Sequence, residues 1–147
     1  MALSSSSYDD TDLRMLRSKG WDVLDSLTFS ADTECYKDYL LGSRGEFTVA
    51  KDQNVRLNTG WFSDRSATYL AAGRPVVTQG TGFANTLPTG EGLFSFTSTE
   101  EAVAAIEAIN GDYEAHRRAA WEIANDYFRS DVVLKRLLQD IGLAATV

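Results

Sequence analysis

The chain has one cysteine and two prolines, and His116 is its only histidine. One thiol closes no internal disulfide, and Cys35 with His116 cannot supply the four ligands of a structural zinc site. Cations are also scarce: 14 Lys and Arg stand against 21 Asp and Glu, a formal charge of −7. Non-specific binding to nucleic acid or to an anionic membrane needs clustered Lys and Arg, so neither partner is expected. No apolar run approaches the roughly 20 residues that span a bilayer, and the start, Met1-Ala2-Leu3 followed by Ser4 to Ser7, lacks the apolar block of a secretion signal. These absences predict a soluble cytoplasmic protein with no metal, no cofactor and no membrane insertion.

What is present reads as a folded domain. Apolar residues make up 44% and charged residues 24% of the 147 positions, a globular composition, and a chain of this length buries roughly two thirds of its unfolded surface. A flexible lead over 1–10 and one domain over 11–147 are expected. Thr11 to Lys19 spaces Leu13 and Leu16 as a short helix that stops at Gly20. Trp21 to Asp25 alternates like a strand, and Ser30 is placed to cap a helix over 31–43 with Cys35, Tyr36, Tyr39 and Leu40 on its inner stripe. Glu46 to Lys51 is rich in β-formers, and a polar loop over 52–60 follows. Pro75 to Gln79 is apolar enough for a strand covered on both faces, and Leu93 to Phe96 alternates again. Ser98-Thr99-Glu100-Glu101 is a capping box for a helix over 99–110. Asp112 to Phe128 and Asp131 to Ile141, the latter behind a capping Ser130, close the chain as helices. Strand and helix alternate with short connections, which predicts an α/β fold. The expected form is a Rossmann-like parallel sheet of about four strands, with helices on both faces and a C-terminal helical pair.

The densest signal lies between Gly60 and Gln79. Ser63 is a candidate N-cap, Asp64 stands where the helix dipole favours negative charge, Gly73 can take the left-handed residue past the last turn, and Pro75 forbids continuation. A helix opened this way, between a glycine-bearing loop and an apolar strand, aims the amides of Phe62 to Arg65 at an anion. Ser63 and Ser66 can donate to a phosphate or simply serve the helix start. Arg65 can clamp a diphosphate or pair with Asp64. Lys51 and Arg56 flank the same loop and are either further cations of the site or surface charge. Thr81, Gly82 and Phe83 follow the third strand, where a glycine admits close approach and an aromatic ring can cover a sugar or base. The alternative is a turn glycine and a packed ring. In open parallel sheets such ligands lie beyond the carboxyl ends of the strands. His116 is expected on the surface, and Trp21 and Trp121 are expected to anchor a core or interface.

From about Trp21 to Leu143 the order of motifs resembles the last part of the C-terminal, nucleotide-sugar-binding domain of GT-B glycosyltransferases. Leu70-Ala71-Ala72-Gly73-Arg74-Pro75-Val76-Val77 is similar to that family's run of leucine, alanine, small residue, glycine, any residue, proline and two valines. Gly80-Thr81-Gly82-Phe83 resembles the glycine loop after the strand, and Gly90-Glu91-Gly92-Leu93-Phe94 the approach to the next one. Asp112 to Leu138 resembles the closing helical pair. The resemblance implies a nucleoside diphosphate sugar over the helix that starts at Ser63, with Arg65 on the position of a phosphate-contacting arginine. Many retaining members carry two glutamates eight positions apart, where this chain has Gly60 and Thr68, so no catalytic residue is assigned. The family's acceptor-binding domain and earlier βα units have no counterpart in 147 residues. Two functions are therefore expected to compete. One is the weak donor-binding part of a glycosyltransferase that needs an acceptor domain. The other is a noncatalytic interaction module with a decayed site, its exposed sheet edge covered by self-association or by a partner.

Overall fold

The computed structural model describes residues 9–143 and the backbone of Ala2 and Leu3. They fall into two compact units, Met1–Gly42 and Ser43–Val147. The first contains β1 (Ala2–Leu3), α1 (Asp10–Ser18), β2 (Leu24–Asp25), α2 (Leu27–Ser30) and α3 (Thr33–Gly42). β1 and β2 pair in parallel, Ala2 beside Leu24. The expected strand over Trp21 to Asp25 thus keeps only its last two residues, and its partner lies within the predicted lead. α1 starts earlier than the apolar spacing suggests, because Asp9 and Asp12 build a capping box. The Asp9 carboxylate accepts from the amides of Thr11 and Asp12 at 2.8 and 3.0 Å, and Asp12 accepts from the Asp9 amide. The helix expected over 31–43 forms as α3, starting two residues later, and the short α2 precedes it. Ser30 ends α2 and caps nothing, while the carboxylate of Asp32 accepts from the Cys35 amide at 2.8 Å. Of the expected inner stripe Leu40 is buried, Tyr39 stacks on Phe29 at 4.1 Å, and Cys35 is exposed.

The second unit runs β3 (Glu46–Thr48), α4 (Asp52–Arg56), α5 (Asp64–Ala71), β4 (Val76–Gln79), β5 (Leu93–Phe96), α6 (Thr99–Gly111), α7 (Tyr113–Tyr127) and α8 (Ser130–Asp140). β3, β4 and β5 form a parallel sheet in that order, with Glu46, Val76 and Leu93 in register. Helices flank it and α7 and α8 follow as a pair, so the unit is α/β as expected. Among the described residues this sheet has three strands, and β2 pairs with β1 instead. Val77 and Phe96 pack with Ala102, Ala105 and Ile109 of α6 into one buried cluster. Burying such side chains contributes about 1.5–3 kcal/mol for each large one.

α5 ends as its sequence predicts. Gly73 has φ 64°, its amide donates to Leu70 C=O at 2.9 Å, and the Arg74 amide donates to Tyr69 C=O at 2.9 Å. These are the two bonds of a Schellman motif, and Pro75 turns the chain into β4. α5 buries Ser66, Tyr69 and Leu70 and packs on α7, which buries Ala120, Ile123 and Ala124. Before β5, Gly92 presses on α7: a Cβ there would lie 2.3 Å from the Ala120 nitrogen. The polar loop expected after β3 contains α4, whose first residue Asp52 reaches Arg56 one turn on at 3.7 Å.

Candidate functional site

The loop into α5 is tied to the loop after β4. The Gly60 amide donates to Thr81 C=O at 2.7 Å, and the Thr81 hydroxyl donates to Trp61 C=O. Thr81 is fully buried, so its hydroxyl serves this clamp. Gly82, at φ 94°, lies so close to Asn58 that a Cβ would sit 2.7 Å from its Oδ1. Both loops leave the carboxyl ends of their strands, and α5 therefore opens at the end of the sheet where parallel-sheet ligands bind.

At the start of α5 the backbone of Ser63 has N-cap geometry, yet its hydroxyl caps nothing and instead donates to Asp64 Oδ1 at 3.4 Å. Asp64 supplies the cap: its Oδ1 accepts from the Arg65 amide at 2.8 Å. A carboxylate in the first turn answers both the orphan amide and the helix dipole, so it outcompetes the neutral hydroxyl. Arg65 reaches back across β3. Its Nε donates to Glu46 Oε1 and its Nη2 to Thr48 Oγ1 at 2.9 Å. The arginine side chain is 48% exposed and the glutamate side chain 5%. A buried carboxylate thus fixes a half-exposed guanidinium beside the first turn of a helix. Among the described residues Glu46 Oε2 and Ser66 Oγ are buried without a hydrogen-bond partner.

The other expected site residues are distributed as follows. Ser66 is fully buried inside α5. Lys51 is exposed ahead of α4, and Arg56 is exposed and paired with Asp52. Phe83 is buried against Phe62, ring centres 5.2 Å apart, and Phe62 stacks on Phe128 at 5.6 Å. Trp61, the residue before Phe62, is exposed. His116 is not the surface residue expected: its Nδ1 accepts from the Gly92 amide at 3.2 Å and its ring lies against Phe94. Trp21 and Trp121 are each more than half exposed and anchor no core. Glu46 and Thr48 escaped the sequence reading, although a strand that places two polar side chains on one face of a β-forming run carries a readable signal.

A separate cleft of about 570 Å³ contains none of these residues; it is lined by Glu91, Glu122, Asp126 and Tyr127 among others, and its three carboxylates would repel an anion. Among the described residues no acidic, histidine and cysteine group is arranged to hold a metal, and no helix is long and apolar enough to cross a membrane. Compared with known proteins, the chain matches no family model, no curated protein and no solved structure.

Proposed function

We propose that the Ser43–Val147 unit is the donor-binding part of a glycosyltransferase. It takes the diphosphate of a nucleoside diphosphate sugar at the first turn of α5 and transfers the glycosyl group only together with a further, acceptor-binding domain. The observation that carries this reading is the guanidinium of Arg65, in the first turn of α5, braced along β3 by Glu46 and Thr48. Departure of a nucleoside diphosphate builds negative charge on its oxygens, and an oriented arginine with helix amides stabilises that charge without a metal. Bracing matters because a guanidinium already held in place loses less rotamer entropy when it grips a phosphate. In this reading the amides near Ser63, Asp64 and Ser66 face the phosphates, and Gly82 and Phe83 border the crevice through the Thr81 clamp. Lys51 and Arg56 add positive charge at its rim. The motif order from Trp21 to Leu143 supports the same assignment, and the exposed, unpaired Cys35 suits a reducing cytoplasm.

Titration with uridine, guanosine and adenosine diphosphates, followed by Trp61 fluorescence, tests this. At least one is expected to bind with a dissociation constant of about 1 mM, worth about 4 kcal/mol, and Arg65→Ala is expected to weaken it about tenfold or more through the lost charge-assisted bond. No response at millimolar nucleotide would overturn the reading.

One observation favours the alternative of a noncatalytic module: the Asp64 carboxylate already occupies the Arg65 amide, and an arriving phosphate must displace it. If the carboxylate merely competes, Asp64→Asn tightens nucleotide binding. Should neither the parent nor Asp64→Asn bind, the module reading stands.

A further inference from the structure

The two edges of the three-stranded sheet differ. On β5 the outward carbonyl of Leu93 accepts from the Gly90 amide at 2.8 Å, and Leu93 itself is buried. Among the described residues of the second unit, no backbone group makes such a bond to β3. Its inward side is held by the ladder to β4 and, beside it, the Glu46 amide donates to Pro75 C=O at 2.9 Å and the Ala50 amide to the Gln79 side chain at 3.2 Å. Backbone groups alternate along a strand, so the N–H and C=O of Gly45, Phe47 and Val49 turn away from β4. All three residues are exposed, Phe47 at 55% and Val49 at 62%. Natural edges are usually blunted by charge, proline or a bulge, and none of these stands at the outward positions.

We propose that this edge pairs with the same edge of a second copy of the chain, antiparallel about a two-fold axis through Phe47. The alignment sets Phe47 opposite Phe47 and Gly45 opposite Val49, each a pair that exchanges main-chain hydrogen bonds. The charges permit it. Glu46 falls opposite Thr48, Arg44 opposite Ala50 and Lys51 opposite Ser43, so no like charges face one another, a condition cross-strand pairing rewards. The two phenylalanines cover each other while each keeps its stack on Phe96, 5.4 Å away in its own subunit. The result is a continuous six-stranded sheet from two copies, closed by symmetry so that no further copy adds. This inference is independent of the donor reading.

Sedimentation of the 147-residue chain over a range of concentrations, joined to cysteine cross-linking, tests it. A reversible dimer is expected, with a dissociation constant raised about tenfold or more by Phe47→Lys, which brings two like charges together on the axis. In a Cys35→Ser background, Phe47→Cys is expected to oxidise to a covalent dimer, because facing residues of such a pair lie about 5.5 Å apart at Cα, within disulfide reach. Val49→Cys faces Gly45 and stays monomeric. Cross-linking keeps the register testable even if the lysine variant folds poorly. A monomer at every concentration overturns the proposal, as does a dimer that cross-links equally well through either cysteine. So does a dimer that survives Phe47→Lys and is lost on Leu137→Lys, which would assign the contact to the exposed apolar side of α8.

Discussion

Replacing Arg65 with alanine strips the buried Glu46 carboxylate of its cation and removes a donor from Thr48. Breaking a fully buried pair typically costs about 3–5 kcal/mol, because one charge is left desolvated. Here the glutamate side chain is 5% exposed and the arginine side chain 48%, so water can reach the vacated place and the penalty falls to about 2–3 kcal/mol. For a chain of this size that lowers Tm by roughly 6–9 °C. The same reasoning predicts a partial rescue. Glu46→Leu added to Arg65→Ala removes the stranded charge together with its partnerless Oε2, and should recover at least about 1 kcal/mol. Urea and thermal unfolding followed by circular dichroism at the helix band would measure all three proteins. If Arg65→Ala costs less than about 0.5 kcal/mol, or the double variant is no more stable than the single one, the pair is an ordinary surface bridge.

Gly92→Ala should unfold most of the second unit, at more than about 4 kcal/mol, since its Cβ would lie 2.3 Å from the Ala120 nitrogen at a φ of 71°. Gly20→Ala has comparable φ but open space around it and should cost only about 1 kcal/mol; soluble yield and melting temperature separate the two. Thr81→Val keeps the shape but deletes the bond to Trp61 C=O. Its cost should be about 1–2 kcal/mol, with a shift in Trp61 emission. Asp131 at the start of α8 is gripped by the Arg129 guanidinium, which draws its carboxyl down from 3.8 to about 2. A depressed folded value means the stabilisation is complete above the ordinary carboxylate range and disappears as pH falls through about 2. Helicity of α8 should therefore hold from pH 7 to about pH 4 and fade below it, and Arg129→Ala should lower the helicity at neutral pH and flatten that fading; a pH titration by circular dichroism of both proteins checks the difference.

Most of the second unit was legible because its signals are local. Gly73 and Pro75 stop α5 where the pattern said, and Ser98 accepts from the Glu101 amide at 3.2 Å as a capping box requires, although Glu101 returns its bond to the Thr97 amide instead. Rhythm alone could not show pairing: β2 was readable as a strand, but its union with β1 depends on two residues in a stretch read as a lead. The roles of Asp32 and Asp64 were hidden by neighbouring serines, because hydroxyl and carboxylate share the same preference for a helix start and the residue type alone does not say which one accepts the amide. At the candidate site Arg65 was legible and its brace was not. Glu46 lies nineteen positions earlier in sequence, and no local pattern couples a strand glutamate to an arginine in the next long helix. His116 misled for a similar reason, since its partner is a backbone amide twenty-four residues away.

The measurement that bears most directly on the proposed donor site is an amide-resolved titration of the whole chain with inorganic pyrophosphate and with uridine diphosphate. The account predicts saturable shifts concentrated at Ser63 to Ser66, diminished in Arg65→Ala and enlarged in Asp64→Asn. Amides of that turn that stay still at millimolar ligand, or shifts confined to Lys51 and Arg56, would contradict it and leave the unit as a scaffold without a nucleotide site.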